Sequence, residues 1–463
     1  MKTKDFVLFS PVGLTDPIRA EHDGPMPHIV RHYQPKKVYL MFTKETGDWE
    51  RKYETYSNMI ELICSGCEIK SFYTDIEEAH DFDVFSDVLL KQLEQVKSEN
   101  ENCTILLNIT SGTAQIMSAI CMISLSNPQL YKVVQVRTPD NKGNRTLQFS
   151  PDKDDLAEWF DNNMDNLEGA ENRCYEPYLL SFKKPMLQYQ IQSLIENYNY
   201  TGAYELFRQN KGLFTEKAGV MILHGVKRLN LENKAAEKLA KQAGLSDRLY
   251  PVQETMLKRL TEYYLSMVIK QKRGELTDKV LRLDVLILNL ALYILERFFK
   301  IRIEEIAYSK KGHKSEGKSS GPWRLDKEKV EKKIPGISSR LDEDYQHLGG
   351  YKWNSELNSK TALIVLSHAC NVRRIDEPLE DVIKFMREWN DLKNARNRAA
   401  HEMTAITDDD IRKDYGGHNS EKLIRSIETV FIRVGKNSLR RDKHDIFCIY
   451  DDLNEMIIEE LKQ

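Results

Sequence analysis

The feature that most constrains how this chain folds is a change of pattern near residue 178. Before that point, short apolar runs alternate with segments of helical periodicity, which is typical of a parallel sheet covered by helices on both faces. Beyond it the strand-like runs stop and long helical patterns dominate. The five predicted strands are Phe6–Phe9, Val38–Phe42, Ile69–Tyr73, Thr104–Ile109 and Lys132–Val136.

The change of pattern predicts a multidomain protein, α/β followed by all-α. We predict a Rossmann-like, doubly wound domain over residues 1–177, a helical connector over 178–250 and an all-helical domain over 251–463. A chain of 463 residues is long enough to form two or three hydrophobic cores. In the last domain, residues 278–299 are apolar nearly all round, which predicts a helix buried in a core or an interface.

Charge and hydropathy exclude several classes of protein. The formal net charge is -3, so any contact with nucleic acid must come from a local site. No apolar run approaches the ~20 residues that cross a bilayer, and the N-terminus has no signal-peptide pattern. We therefore expect a cytoplasmic protein without a membrane partner. Cys64 and Cys67 end a helical pattern and lack a second ligand pair at zinc-site spacing, so a simple helix-end turn is predicted there.

Residues 312–319, Gly-His-Lys-Ser-Glu-Gly-Lys-Ser, match the P-loop pattern GxxxxGK[ST]. A P-loop binds phosphate only where a strand enters the loop and a helix follows it. Here a long helical pattern comes before the motif, and Pro322 would interrupt a helix after it. We therefore predict that residues 309–322 form a basic loop and not an ATPase site.

Two turns in the N-terminal domain carry small and hydroxyl residues at strand ends. The first, residues 10–17, follows the first predicted strand, and the second, residues 108–115, leads from the fourth strand into a helix. Ligands of doubly wound sheets bind at the carboxyl ends of strands, and helix N-termini attract phosphate. Either turn alone fits an ordinary helix cap, but the pair predicts a nucleotide or phosphate pocket. Neither turn contains the dinucleotide pattern GxGxxG.

These turns resemble the CARF domains of type III (Csm-type) CRISPR ancillary ribonucleases. The resemblance rests on Gly13-Leu-Thr-Asp-Pro-Ile18, His22-Asp23, His28-Ile29, Tyr33-x-Pro35 and Asn108-Ile-Thr-Ser-Gly-Thr-Ala-Gln-Ile116. It implies a cyclic oligoadenylate activator bound across a two-fold axis, with the six-membered ring favoured and the four-membered ring as the alternative. Some relatives also cleave this activator slowly. The matching ligand-binding positions are Gly13, Thr15, Asp16, Thr110, Ser111, Gly112, Thr113 and Gln115.

The C-terminal domain is expected to carry the partner signature of that family, the HEPN motif, in which four to six residues separate an Arg from a His. The bare pattern occurs three times, at Arg340…His347, Arg396…His401 and Arg412…His418. Only the second lies within a strong helical pattern, residues 382–402, and has an Asn, Asn397, directly after the Arg. The other two border glycines and are predicted to be loops. We therefore assign Arg396, Asn397 and His401 as the catalytic residues.

The chemistry of these residue types suits RNA cleavage without a metal. His401 can act as general base or acid near neutral pH, Arg396 can hold a phosphate, and Asn397 can orient the others. The resemblance implies an endoribonuclease for single-stranded RNA that leaves 2′,3′-cyclic phosphate and 5′-hydroxyl ends, with no cofactor besides the activator and no stable DNA complex. Arg396 and His401 point about 140° apart on an ideal helix, so we expect a homodimer in which two motifs form one site.

Two other classes of function compete with this prediction. A CARF-type regulator would need a compact helix-turn-helix with a basic recognition helix, which the long C-terminal helices do not suggest. A metal-dependent nuclease would need clustered carboxylates near a Lys, and Asp152, Asp154 and Asp155 lack a downstream Glu-x-Lys. An RNase assay in EDTA separates the two kinds of nuclease.

Overall fold

The structure is a computed structural model. It describes residues 5–19, 21–74, 76–77, 81–127, 130–139, 149–309, 322–373, 378–401, 404–435, 440–441 and 444–463. The chain divides into two compact units, residues 1–184 and 185–463. The finer division into three domains remains a prediction. Among the described residues, no helix combines the length and apolar character that a membrane span requires.

The first unit is built on a six-stranded sheet with the order β5-β4-β1-β6-β7-β8. All neighbours are parallel except β7 and β8, which run antiparallel. All five predicted strands are present, with ends that differ by one or two residues, and β8 was not predicted. The strands are β1 Phe6–Pro11, β2 Ile18–Arg19, β3 His22–Asp23, β4 Lys37–Phe42, β5 Glu68–Tyr73, β6 Thr104–Asn108, β7 Tyr131–Val136 and β8 Cys174–Tyr175, with β2 and β3 forming a separate hairpin.

Helices cover both faces of this sheet. Val7 and Phe9 of β1 pack into one apolar cluster, whereas Leu8 packs into the other, because side chains alternate along a strand. The doubly wound α/β prediction is thereby confirmed. The helical periodicity of residues 49–63 predicts one helix there, which is wrong, because Glu54 adopts a left-handed φ of 50° and separates two helices. The helices are α1 Pro25–Tyr33, α2 Lys44–Tyr53, α3 Thr55–Ile63, α4 Phe82–Glu99, α5 Ala114–Ser126 and α6 Leu156–Asp161.

The second unit is largely helical, as predicted, and a single apolar core runs from Ile191 to Leu461. Two short antiparallel pairs, β9 Ala307–Ser309 with β10 Trp323–Leu325 and β11 Arg440–Arg441 with β12 His444–Asp445, correct the all-helical prediction. The P-loop-like residues 312–319 lie outside the described residues. The helices, of which α7 begins in the first unit, are α7 Leu180–Glu196, α8 Tyr200–Gln209, α9 Glu216–Leu229, α10 Asn233–Gln242, α11 Ser246–Leu249, α12 Thr255–Lys272, α13 Leu276–Phe299, α14 Lys327–Lys333, α15 Ile337–Asp344, α16 Ser359–Val372, α17 Glu380–Asp391, α18 Lys393–His401, α19 Asp408–Asp414, α20 Ser420–Gly435 and α21 Ile449–Leu461.

The helix predicted over residues 382–402 is interrupted, which corrects the expected setting of the HEPN-like motif. The backbone N–H of Leu392 donates to Trp389 three residues back, so the last turn of α17 tightens, and α18 starts afresh at Lys393. Trp389 and Leu392 are both buried in the core. The motif therefore lies on a short helix that packs against α13 and α19.

Candidate functional site

The two predicted ligand-binding turns of the first unit lie side by side. β1 and β6 are parallel neighbours, so the turns that follow them emerge at the same edge of the sheet. A Cβ atom on Gly13 would lie only 2.7 Å from the backbone nitrogen of Gly112. Gly112 has a φ of +92°, a conformation that favours glycine. Glycine at both positions thus lets the two turns touch.

Asn108, the last residue of β6, organises this contact and is fully buried. Its side-chain amide donates to the hydroxyl oxygen of Ser10 at 2.9 Å and to that of Ser111 at 2.8 Å. Its carbonyl oxygen accepts from the backbone N–H of Thr110 at 2.8 Å. Asn108 was not among the predicted site residues, although a polar residue at the end of an apolar strand was a signal that could have identified it.

Asp16 links the first turn to helix α1 and to the second turn. Its carboxylate accepts from the backbone N–H of Gly13 at 3.1 Å and from that of Met26, in the first turn of α1, at 2.9 Å. Burial raises the pKa of Asp16 to about 6, and hydrogen bonds from Met26, Ser111 and Gly13 oppose that rise. Asp16 is 2% exposed, so it lies inside the domain and not on the surface of this edge.

The eight predicted ligand-binding residues fall into two groups by exposure. Asp16 and Ser111 are buried and bond to neighbouring protein groups, so they support the turns from within. The hydroxyl of Thr113 caps α5 by accepting from the N–H of Ile116. The residues with partly exposed surface at this edge are Gly13, Thr15, Thr110, Gly112, Thr113 and Gln115.

Asp23, His28 and Asp165 form the one group among the described residues whose atoms are close enough to share a metal ion. Two arginines already neutralise the carboxylates. Arg31 Nε lies 2.6 Å from Asp23 and Arg173 Nη2 lies 2.7 Å from Asp165. Burial raises the pKa of Asp165, but the hydrogen bond from His28 and the charge of Arg173 outweigh that effect and hold the pKa well below its usual value. These residues form a buried ion-pair network. The network holds Asp23 and His28, two of the residues that carry the resemblance to CARF domains, inside the domain.

In the second unit, the HEPN-like motif lies on α18. Asn397 is exposed, whereas Arg396 is half-buried and its Nη1 atom lies 2.5 Å from Oδ1 of Asp284 on α13. His401 is the last residue of the helix, and its side chain lies outside the described part of the structure. Asp284 was not predicted. An isolated acid within the apolar stretch of α13 was the available signal.

The sequence predicted that the two rejected matches to the motif are loops, but both of their arginines lie on helices. Arg340 lies on α15, where it pairs with Asp344 at 2.9 Å, and Arg412 lies on α19, paired with Asp409 at 3.2 Å. Their histidines lie beyond those helices, His347 in a 3-10 turn and His418 after α19. What distinguishes Arg396…His401 is that both residues lie on one helix.

A polar cleft of about 340 Å³ lies between α15, α16 and α17. The cationic side chains of Arg340, Lys360 and Arg387 line it, from α15, α16 and α17 respectively. Asn390, in the last turn of α17, belongs both to this cleft and to the small cavity beside Arg396. The carboxylates of Asp344 and Asp391 also line the cleft, so its charge is mixed, with three cationic side chains against two acidic ones.

Models of the domains of one protein family match most of the chain. The Csm6 CARF domain matches residues 66–174, the Csm6 6H domain residues 177–229 and the Csm6 HEPN domain residues 249–458. The CARF match begins after the first turn, so it includes only the second of the two turns.

Similar proteins match over nearly their whole length. The CRISPR system endoribonuclease Csm6 of Enterococcus italicus is 26% identical and covers 97% of this chain and 100% of its own. The protein of that name from Mycobacterium tuberculosis is 26% identical, with 98% of each chain covered. The solved structure of Enterococcus italicus Csm6 bound to cyclic hexa-2′-fluoro-hexa-dAMP shares the fold, with a TM-score of 0.65 at 21% identity over 99% of this chain and 100% of that one. The chain thus belongs to the Csm6 family of proteins with CARF and HEPN domains.

Proposed function

We propose that this protein is an endoribonuclease that cleaves single-stranded RNA in type III CRISPR antiviral defence and is activated by a cyclic oligoadenylate. The observation that carries the proposal is the match of both units to Csm6 domains, together with the RNxxxH motif on a single helix of the HEPN region. Full-length relatives named CRISPR system endoribonuclease support the reaction class.

The proposed reaction uses the residues of α18 and requires no metal. The Arg396 guanidinium would bind the scissile phosphate, because its planar N–H donors match phosphate oxygens and its charge is permanent. His401 would take the proton from the ribose 2′-hydroxyl, and the 2′-oxygen would then attack the phosphorus. The bond between phosphorus and the 5′-oxygen would break, and the leaving oxygen would take up a proton from water. The products would be a 2′,3′-cyclic phosphate and a 5′-hydroxyl. Asn397, exposed beside Arg396, would orient the substrate.

The proposed activator site is the edge of the sheet where the two turns touch. The N-terminus of α5 and the partly exposed Thr113 and Gln115 offer donors to a phosphate. The relative solved with a cyclic hexa-adenylate analogue supports a ring of six, with four as the alternative. In the proposed site Thr113→Leu should weaken activation without unfolding the protein. Incubation with each ring and analysis of its products tests whether the protein also degrades its activator slowly.

The decisive experiment measures cleavage of labelled single-stranded RNA with the cyclic hexa-adenylate present. We expect His401→Ala and Arg396→Ala each to lower kcat by about 10²- to 10⁴-fold, because each removes a group that acts in the transition state. Asn397→Ala should lower it less. Binding of the activator should be unchanged in all three variants.

Two matched controls come from the rejected motifs. His347→Ala and His418→Ala should cleave RNA at the rate of the wild type, and all cleavage should persist in EDTA. If a control variant is inactive while His401→Ala is active, the motif is misassigned. If all the variants cleave RNA normally in EDTA, the HEPN assignment fails. If EDTA abolishes the wild-type reaction, a metal-dependent nuclease is the better assignment.

A further inference from the structure

Asp284 lies in a largely apolar part of α13, and it reaches the arginine of the proposed catalytic motif. It lies between Leu283, which is buried, and Val285. Its Oδ1 atom is 2.5 Å from Nη1 of Arg396, and both side chains are partly buried, with 38% and 28% exposed. An ion pair that is partly withdrawn from water is screened less than one on an open surface.

The core of the second unit holds this carboxylate in place. Ser359, nearly buried at the start of α16, donates its hydroxyl to Oδ1 of Asp284 and lies 3.1 Å from the side-chain amide oxygen of Asn390 on α17. Side chains from three packed helices thus converge behind Arg396. Arg396 itself lies on a helix of nine residues that begins just after the helix interruption at Leu392. The fixed element is therefore the carboxylate, and the guanidinium is the group that it orients.

We propose that Asp284 is a positioning residue that holds the Arg396 guanidinium for the scissile phosphate. This inference rests on the proposed ribonuclease function. A guanidinium carries five N–H donors, and the described contact with Asp284 uses the Nη1 end, so the Nη2 and Nε donors remain for phosphate oxygens. Without the carboxylate the long side chain samples several rotamers, and the reactive geometry is populated for less of the time.

The charge of Asp284 gives the proposal a distinctive kinetic signature. Removing a carboxylate from beside a cation increases the local positive potential, so the attraction for RNA does not fall. The loss of orientation acts on the chemical step. Positioning by Asp284 therefore predicts a lower kcat with a KM that is unchanged or lower. A merely structural role would lower the melting temperature and the fraction of active protein instead.

The test compares three variants of the full-length, activator-bound protein in steady-state RNA cleavage. Asp284→Ala should lower kcat by about tenfold to a hundredfold, the range that loss of an orienting partner costs at other catalytic sites, without raising KM. Asp284→Glu should recover most of kcat, since it restores a carboxylate. The matched control is Asp278→Ala on the same helix, which removes a surface pair with Lys270 (2.7 Å) and should leave kcat unchanged.

The outcomes separate this inference from the proposed function. A wild-type protein that does not cleave RNA under any activator contradicts the proposed function and the inference together. A wild-type protein that cleaves RNA, with Asp284→Ala equal to it in kcat, overturns the positioning role alone. So does an Asp284→Ala variant whose loss of activity follows a loss of folded protein and is not recovered by Asp284→Glu.

Discussion

Two buried polar side chains, Asn108 and Asp16, determine the shape of the proposed activator pocket. The Asp16 carboxylate accepts from the backbone N–H groups of Gly13 in the first turn and Met26 in α1. The Asn108 amide donates to the Ser111 hydroxyl and accepts from the backbone N–H of Thr110, both in the second turn. A buried polar group that loses its partner costs about 1–3 kcal/mol, so such residues keep their neighbours in one arrangement. The turns are therefore prepared for a ligand by residues that do not themselves reach the surface.

The raised pKa of Asp16 makes the stability of the protein depend on pH in a defined direction. Its folded-state pKa is about 6 against 3.8 for the free group, so the folded protein keeps a proton that the unfolded chain has already released. Its stabilising contribution is complete below pH 4 and is lost as the pH rises to about 6 and above. Relative to Asp16→Asn, the wild-type free energy of unfolding should fall by at most about 3 kcal/mol over that range.

Denaturant unfolding of both full-length proteins from pH 4 to pH 7 measures this difference. Because every other titrating group is shared, subtracting the two curves isolates Asp16. We expect the free energy of unfolding of the wild type, minus that of Asp16→Asn, to fall as the pH rises. If this difference stays constant or increases with pH, the Asp16 carboxyl group is not protonated in the folded state.

At the level of elements, a buried ion pair connects α9 to α12 in the second unit. Arg228 is fully buried and its Nη2 atom lies 2.6 Å from Glu262. Its guanidinium also lies over the rings of Tyr250 and Tyr450, at 4.7 and 5.3 Å from their centroids. The helices of the predicted connector therefore share their core and a charged contact with the C-terminal helices.

Breaking this pair should destabilise the second unit strongly. We expect Arg228→Met to lower the free energy of unfolding by about 3–5 kcal/mol, since it leaves the Glu262 carboxylate buried without its partner. Adding Glu262→Leu should recover much of that loss, because the uncompensated charge disappears. Denaturant unfolding provides the measurement, and Arg208→Ala, in an exposed pair with Glu205, is the matched control. A loss no larger than that of the control would contradict the assignment.

For the whole molecule, we predict that the active species is a homodimer. Arg396 and His401 lie on one helix at a spacing that directs them about 140° apart, so a single motif does not bring the two side chains together. In the predicted dimer, a second copy of α18 would supply the missing group. Light scattering should give twice the mass of one chain in the active fraction, and specific activity should fall on dilution as monomer forms. A monomer with full activity would rule this out.

The sequence by itself determined the fold class. The five strands and the helix expected over residues 278–299 were predicted to within two residues. The alternation of apolar runs with helical periodicity is a local property of the chain, so it can be recognised without the tertiary structure. The change near residue 178 marked the transition from the sheet to the helices. The motif on α18 was also predictable, although the helix that carries it was expected to be longer.

Tertiary structure alone decided which side chains meet. Asp284 and Arg396 belong to helices far apart in sequence, and no periodicity relates an acid on α13 to an arginine on α18. The exposure of the predicted ligand residues was likewise undetermined, because it depends on how two turns pack against α1 and β7. The break at Leu392 arises from packing as well, since its sequence context is helical. Local patterns specify elements, whereas the contacts that form a site depend on how distant elements pack together.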